Sequence, residues 1–194
     1  MKTIGIYGAS GHGKVVADIA KLCGYEKVIF IDDSKKEYIS LQEYQKKYNY
    51  PIAWGIGDNE IRSKKAQLIK EFVTLIHPKA IVADKVQIGE GSVVMAGAII
   101  NPSVSIGKHT IINTAAIVEH DCIIEDFVHI APNCSLAGSV KIGKKSFIGI
   151  GSTVIQNISI GHNSIIGAAS LVLDNIEDNV IAFGAPAKIY KKRN

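Results

Sequence analysis

The chain predicts a parallel β-helix with a small α/β unit ahead of it, and three observations carry that prediction. Stepping by six from Ile76, seventeen successive positions (Ile76, Val82, Ile88, Val94 and onward to Val172) hold Ile, Val or Leu without an insertion. Two places earlier in each unit sits a mostly small residue, and every third member of that series (Val86, Val104, Cys122, Val140, Ile158, Ile176) is mostly larger than its neighbours. Before Ile76, strand-like and helix-like stretches alternate. A period of six fits neither the 3.6 of an amphipathic helix nor the 2 of an ordinary strand. Six residues therefore make one short strand and turn, three units close a triangular coil, and about five coils stack at the spacing of β-strands.

Taken in order, residues 3–7 read as a buried strand, followed by the glycine-rich turn Gly8-Ala-Ser-Gly-His-Gly13. Residues 14–22 have helical apolar spacing, and residues 27–31 form a second strand ending in Asp32-Asp33. A polar helix over 41–48, a strand over 50–56, a helix over 58–71 and a strand over 72–76 complete a Rossmann-like unit. The boundary is placed at His77-Pro78, giving a Rossmann-like domain over 1–76 and a β-helix with a C-terminal tail over 77–194. Within the repeat, Gly89, Gly107, Gly143, Gly149, Gly161 and Gly167 fall at the turns, as turn chemistry requires. After the polar loop 174–179, residues 180–188 read as a strand and a Gly-Pro turn, and the chain closes on a basic tail.

The turn Gly8-x-x-Gly-x-Gly13 with a helix behind it suits a phosphate. It lacks both the G-x-G-x-x-G spacing of a dinucleotide site and the Gly-Lys-Ser/Thr of a Walker loop. Asp32 and Asp33 lie where an acidic residue can bond a ribose or a base edge. The net charge of +4 divides into twelve basic and nine acidic side chains over 1–75, six and seven over 77–176, and four and two after that. No segment is basic enough to track a nucleic-acid backbone. No apolar run reaches the ~18 residues of a membrane span. Three cysteines, two of them in the inward slot, are expected as reduced core residues of a cytoplasmic protein. The repeat histidines (His77, His109, His120, His129, His162) never differ by a multiple of eighteen, so no two share a wall position. That disfavours a metal site and a carbonic anhydrase.

The stretch Asn113-Thr-Ala-Ala-Ile-Val-Glu-His-Asp121 is the chemical one. His120, two residues past the inward Val118, should face outward near a turn, within a window from Lys108 to Lys141 that contains no other cation. That window holds Glu119, Asp121, Glu125 and Asp126. An imidazole beside a carboxylate has the parts of a general base near neutral pH.

These features, with Ile6-Tyr-Gly-Ala-Ser-Gly-His-Gly13, Ile31-Asp-Asp33, Gly57-Asp-Asn-Glu-Ile-Arg62, Ile112-Asn-Thr114, Val118-Glu-His120, His129, Ala137-Gly138 and Gly184-Ala-Pro-Ala-Lys188, resemble the NeuD-like sugar acyltransferases of the left-handed β-helix superfamily. Within them the chain is most similar to the UDP-4-amino-sugar N-acetyltransferases of bacillosamine biosynthesis. The resemblance implies a homotrimer of left-handed β-helices, with acetyl-CoA as co-substrate lying between subunits and no metal. It implies His120 as general base, Asp121 as its orienting carboxylate with Glu119 as the alternative, and the Gly138 N–H beside the thioester. It places a UDP-amino sugar against Gly8, Ser10, Gly11, His12, Gly13, Asp32, Asp33, Asn59, Asn113 and Glu119. It places acetyl-CoA against His129, Gly138, Ile150, Ala168 and Lys188. A GDP-perosamine amine or a sialic-acid hydroxyl is the alternative acceptor, and a non-catalytic nucleotide-sugar binder is the alternative class. The outward residues Val93, Ile99, Ile111, Ile117 and Ile123 are expected to be the apolar surface that association covers.

Overall fold

The computed structural model describes residues 1–193. Three parallel strands, β1 (Thr3–Tyr7), β2 (Lys27–Ile31) and β3 (Ile52–Trp54), form an open sheet in the order β2-β1-β3. Helices α1 (Gly11–Leu22), α2 (Leu41–Lys47) and α3 (Asn59–Ala66) connect and flank it. Helix α1 buries Val16, Ala17, Ile19 and Ala20, the i, i+1, i+3, i+4 pattern of one apolar stripe. Helix α2 starts at a capping box in which the Ser40 hydroxyl accepts from Glu43 N–H and the Glu43 carboxylate accepts from Ser40 N–H.

The expected strand over 72–76 is divided. Phe72 makes a parallel bridge to Ile52 at the edge of the open sheet, whereas Leu75–Ile76 pairs with Val93–Val94 and opens the first wall of the β-helix. The helix expected to run from 58 to 71 stops at Ala66.

From there three walls of two-residue strands alternate. The first runs through Leu75–Ile76, Val93–Val94, Ile111–Ile112, His129–Ile130, Phe147–Ile148 and Ile165–Ile166. The second starts at Ile81–Val82 and the third at Gln87–Ile88, and parallel pairs eighteen residues apart join each coil to the next. A sixth coil closes two residues early, with Ile160 bridging Ile176. The antiparallel hairpin Val180–Gly184/Ala187–Lys192 then caps the first wall. From Val94 to Val172 the inward aliphatic slot is buried throughout.

Glycine does a different job from the one expected. A left-handed residue recurs every six positions from Lys85 (φ 66) to Ala169 (φ 53), and most of these corners hold Ser, His, Ala, Asp, Phe, Asn or Lys. The six glycines expected at turns lie two residues before such corners and allow coils to stack closely, whereas Gly91, Gly97 and Gly151 occupy corners themselves. A Cβ on Gly143 would sit 2.6 Å from the Gly161 carbonyl carbon, and one on Gly107 would sit 2.6 Å from Asp126 N.

The α/β unit packs on the outer face of the first wall. Leu75, Val93, Met95 and Ile111 share one apolar cluster with Ile4, Ile6, Val16 and Ile19. Val93 and Ile111 are therefore covered by their own chain, contrary to the expectation that they wait for a neighbouring subunit. Each such aliphatic side chain contributes about 1.5–3 kcal/mol when buried. The outward aliphatics left exposed lie on the second and third walls, with Ile81 at 63% and Ile123 at 43%.

Candidate active site

The predicted residues separate into three groups. The first is a cleft of about 540 Å³ at the carboxyl end of the open sheet, lined by residues including Gly8, Ser10, Asp32, Asp33, Lys35, Ile56, Gly57, Ile61 and Lys65. Its glycines divide by function. A Cβ on Gly13 would lie 1.9 Å from the Gly8 carbonyl oxygen, and one on Gly8 would lie 2.7 Å from the Gly55 carbonyl, so both are small to let helix and strands touch. A Cβ on Gly11 meets nothing within 4 Å. Helix α1 begins there without a side-chain cap and with no acid in its first turn. Its first amides and the positive end of its dipole are open to an anion.

Asp32 and Asp33 are both engaged within the chain. Asp32 accepts from Ala9 N–H at 3.0 Å and from the Ser34 amide and hydroxyl at 3.0 and 2.6 Å. Asp33 accepts from Leu41 N–H (2.9 Å), Lys65 Nζ (2.7 Å) and the Tyr7 hydroxyl. Burial works against the Asp33 charge, but the Leu41, Lys65 and Tyr7 bonds outweigh it and hold the carboxyl below its ordinary range. Lys65 is correspondingly pushed up to about 12 by its bonds to Asp33 and Tyr7. Asn59 does not line this cleft. Its amide donates to the Lys145 and Ser146 carbonyls, each at 3.0 Å, and its oxygen accepts from Arg62.

The second group lies where the α/β unit meets the first wall. His129 is buried, its Nδ1–H donating to the Gly57 carbonyl at 3.1 Å, which leaves Nε2 to accept from the Asn113 amide at 2.9 Å. Burial, then the Arg62 charge, pulls its pKa down to about 3. His12 sits 6.1 Å away ring to ring, pulled down to about 4 by the same two causes, and its Nε2 is buried without a partner. Both imidazoles are neutral. Asn113 belongs to the corner between the first and second walls, where Ile150 and Ala168 stand exposed on adjacent coils. Lys188 is on the closing hairpin, 3.9 Å from Asp174.

The third group is the corner between the second and third walls. His120 Nδ1 lies 2.7 Å from Asp121 Oδ2, and the two side chains are 61% and 57% exposed. The left-handed backbone at Asp121 (φ 62) accompanies a carboxylate that reaches the adjacent ring. Glu119 is held elsewhere, accepting from Asn101 Nδ2 at 2.7 Å. With Nδ1–H donating to Asp121, Nε2 carries the free lone pair. The ring lies over Gly138, one coil on, where a Cβ would approach Nε2 to 2.7 Å. Glu125 and Asp126 are not part of this site. They lie on the next corner, where Glu125 meets His162 at 3.2 Å and Asp126 accepts from Lys108 N–H at 2.8 Å.

The His120 corner is opposite the first wall, on which the α/β unit sits. Within one chain the β-helix itself therefore stands between the dyad and the cleft. Sequence reasoning missed Tyr7, Lys35, Lys65 and the apolar cleft residues Ile56 and Ile61. It also missed the interface residues Trp54 and His109, which carry no periodic or motif signal of their own, and gave no role to Arg62, although Arg62 closes the Gly57–Arg62 motif.

Residues 3–69 match the family model described as the PglD N-terminal domain. The chain is 30% identical over 178 residues to GDP-perosamine N-acetyltransferase of Escherichia coli O157:H7, covering 80% of this chain and 79% of the relative. It is 38% identical over 116 residues to UDP-N-acetylbacillosamine N-acetyltransferase of Bacillus subtilis (strain 168), covering 50% and 52%. Among solved structures, a mutant perosamine N-acetyltransferase from Caulobacter crescentus in complex with CoA and GDP-perosamine superposes with a TM-score of 0.93 at 34% identity, covering 98% and 97%. The acetyltransferase domain of PglB from Neisseria gonorrhoeae, in complex with acetyl coenzyme A, gives 0.89 at 34%, covering 97% and 98%. A cleft on an α/β unit, a His–carboxylate pair on a hexapeptide β-helix and agreement along nearly the whole length lead to one assignment: the chain belongs to the NeuD-like sugar-nucleotide N-acetyltransferases.

Proposed function

We propose that this chain transfers the acetyl group of acetyl-CoA to the 4-amino group of a UDP-linked 4-amino-4,6-dideoxy sugar, within a homotrimer whose sites lie between subunits. The observation that carries the reading is the His120–Asp121 pair lying on a bare glycine. An ammonium cannot attack a thioester, so the acceptor reacts as the neutral amine, its first proton already lost to solvent, and it must shed a second proton as its bond to the acetyl carbon forms. His120 Nε2 takes that proton, and Asp121 holds the ring in the required tautomer and stabilises the imidazolium. The Gly138 N–H meets the charge that develops on the acetyl oxygen. The carbon–sulfur bond breaks, the imidazolium passes its proton to the departing CoA thiolate, and the nitrogen keeps the acetyl group.

At the other end, the open amides of α1 around Gly11, with Ser10 and His12, receive the diphosphate. Because both cleft carboxylates already serve internal donors, a guanine edge, rich in donors, finds little acceptor capacity there. Uracil offers two carbonyl oxygens to the ammonium hydrogens that Lys35 and Lys65 retain beyond their bonds to the Ala9 carbonyl and Asp33, which favours UDP. Asn113, Ile150 and Ala168 on one corner, and Lys188 at the hairpin, serve the sugar of their own chain's cleft and the acetyl-CoA held between subunits. The separation of cleft and dyad within one chain supports sharing of the site.

A second reading, GDP-perosamine as acceptor, is favoured by the 30% identity over 178 residues to the E. coli enzyme. Thermal shifts with UDP and GDP separate the two, since a ligand that binds only the folded state raises its stability. His120→Ala tests the chemistry. It should keep both ligand affinities and lose ~10²–10⁴-fold in kcat. A variant that turns over amino sugars at near wild-type rate sinks the mechanism.

A further inference from the structure

Arg62 is fully buried, and among the described residues its guanidinium hydrogen-bonds no carboxylate, the nearby Asp58 charge acting on it only at longer range. Its guanidinium is answered by neutral oxygens from both parts of the molecule. Nη1 donates to the Ile56 and Gly57 carbonyls at 3.3 and 2.8 Å, and both residues line the nucleotide cleft. Nε donates to the His109 carbonyl at 3.1 Å, and Nη2 to those of Phe127 (3.1 Å) and Val128 (3.4 Å), all on β-helix corners beside the first wall. Nη2 also bonds Asn59 Oδ1 at 2.9 Å. The Gly57 carbonyl receives a second donor, the Nδ1–H of His129, whose other nitrogen is bonded to Asn113.

A buried charge loses its hydration, and neutral carbonyls return only part of it. A neutral side chain would staple two surfaces at lower cost. What the planar fork adds is five donors at fixed angles, enough to hold two unlike backbones in one mutual orientation. We infer that Arg62 is a positioning residue for the reaction. It clamps the Ile56–Gly57 floor of the nucleotide cleft to the β-helix corners, so that the bound sugar is presented in register with Asn113 and the acetyl donor. The inference rests on the proposed nucleotide-sugar reading of the cleft.

A lysine at 62 keeps the charge but reaches fewer of these carbonyls along one direction. Arg62→Lys should raise KM for the nucleotide sugar by about 10–100-fold, equivalent to about 1.4–2.8 kcal/mol of binding, and leave KM for acetyl-CoA within about twofold. Trp54→Phe is the control. It removes the 3.1 Å bond from Trp54 Nε1 to His109 in the same interface but keeps an aromatic ring stacked on Tyr7 and Phe72, so it should lower Tm and leave both KM values in place.

Equal KM changes in the two variants at matched losses of Tm would reduce Arg62 to a structural staple and overturn the inference. So would an Arg62→Lys protein with unaltered KM. If Arg62→Lys does not fold, hydrogen exchange of the wild-type protein decides. UDP should slow exchange at residues 109–110 and 127–129 as well as at 56–58, and protection confined to the cleft overturns the clamp. Calorimetric affinity for UDP needs no acetylation, so it reports on Arg62 even if the assigned reaction proves wrong. A wild-type protein that binds neither UDP nor GDP rejects the reading of the cleft itself.

Discussion

Lowering the pH should loosen the joint between the α/β unit and the β-helix, through two imidazoles. His129 is built to be neutral, because Nδ1–H donates to Gly57 while Nε2 accepts from Asn113, and a proton on Nε2 would set donor against donor. His12 Nε2 has no partner to receive a charged N–H. Their folded pKa values, pulled down to about 3 and about 4 by burial and by Arg62, lie below the ordinary value near 6.5. The sign follows from linkage. Between those values the unfolded chain binds more protons than the folded one, so stability is full above about pH 6.5 and falls as the pH drops towards the folded values. At about pH 5.5 each histidine should cost about 1.4 kcal/mol relative to alkaline conditions, close to 3 kcal/mol for the pair. For a chain of this size that is about 6–12 °C in Tm. Carboxylates titrate in the same range, and a second difference removes them. His129→Gln should be less stable than wild type at about pH 7.5, and that gap should narrow by about 1.4 kcal/mol at about pH 5.5, since only the wild type carries the titrating ring. Urea unfolding at both pH values and one fixed protein concentration measures it. A gap that does not change with pH refutes the assignment of His129 as a buried neutral imidazole.

Two further substitutions address the ends of the site separately. Gly138→Ala puts a methyl where His120 Nε2 now lies at 2.7 Å, so kcat should fall at least ~10-fold while calorimetric affinity for UDP is unchanged; wild-type turnover would show that the ring need not rest there. Gly11→Val places its side chain in open space, so Tm should hold while KM for the nucleotide sugar rises and KM for acetyl-CoA does not, and a lowered Tm with both constants raised would mark a folding defect instead.

How much of this was legible in the sequence depended on the range of the interaction. The period of six reports a condition repeated in every coil, a residue facing the axis, and the fold followed from it. Glycine misled, because a sequence shows that a residue is small without showing whether backbone angle or a neighbouring coil demands it. Gly107 and Gly143 answer to the coil above, while Asp121 and Phe127 take the left-handed corners. The run without lysine from 109 to 140 looked like one acidic surface, yet six residues turn the chain through a corner. Glu119 and Asp121 therefore face one edge, and Glu125 and Asp126 another, where Asp126 lies between Lys108 and Lys144. The His120–Asp121 pair was readable because its members are adjacent. Arg62 was not, since an arginine in a short polar helix looks solvated until the β-helix corners it binds, 47 to 66 residues away, are folded against it.

The opposite placement of cleft and dyad leads to a test that uses two dead proteins. His120→Ala lacks the base but has an intact cleft, and Gly11→Val lacks phosphate affinity but has an intact base. In the proposed trimer each site takes its dyad from one chain and its cleft from the next. When the two variants are co-expressed in equal amounts and assort at random, a site is whole if the chain giving the dyad is Gly11→Val and the chain giving the cleft is His120→Ala. That happens in about one site in four, so at a nucleotide-sugar concentration well below the raised KM of Gly11→Val the mixture should recover about a quarter of wild-type activity from components that are nearly inactive apart. Separately purified trimers, mixed without subunit exchange, should recover nothing. If one chain instead folds its own dyad onto its own cleft, every site in the co-expressed sample carries one lesion. No recovery in trimers shown by mass spectrometry to contain both chains would then place the whole site within a single subunit, against the wall order of this β-helix.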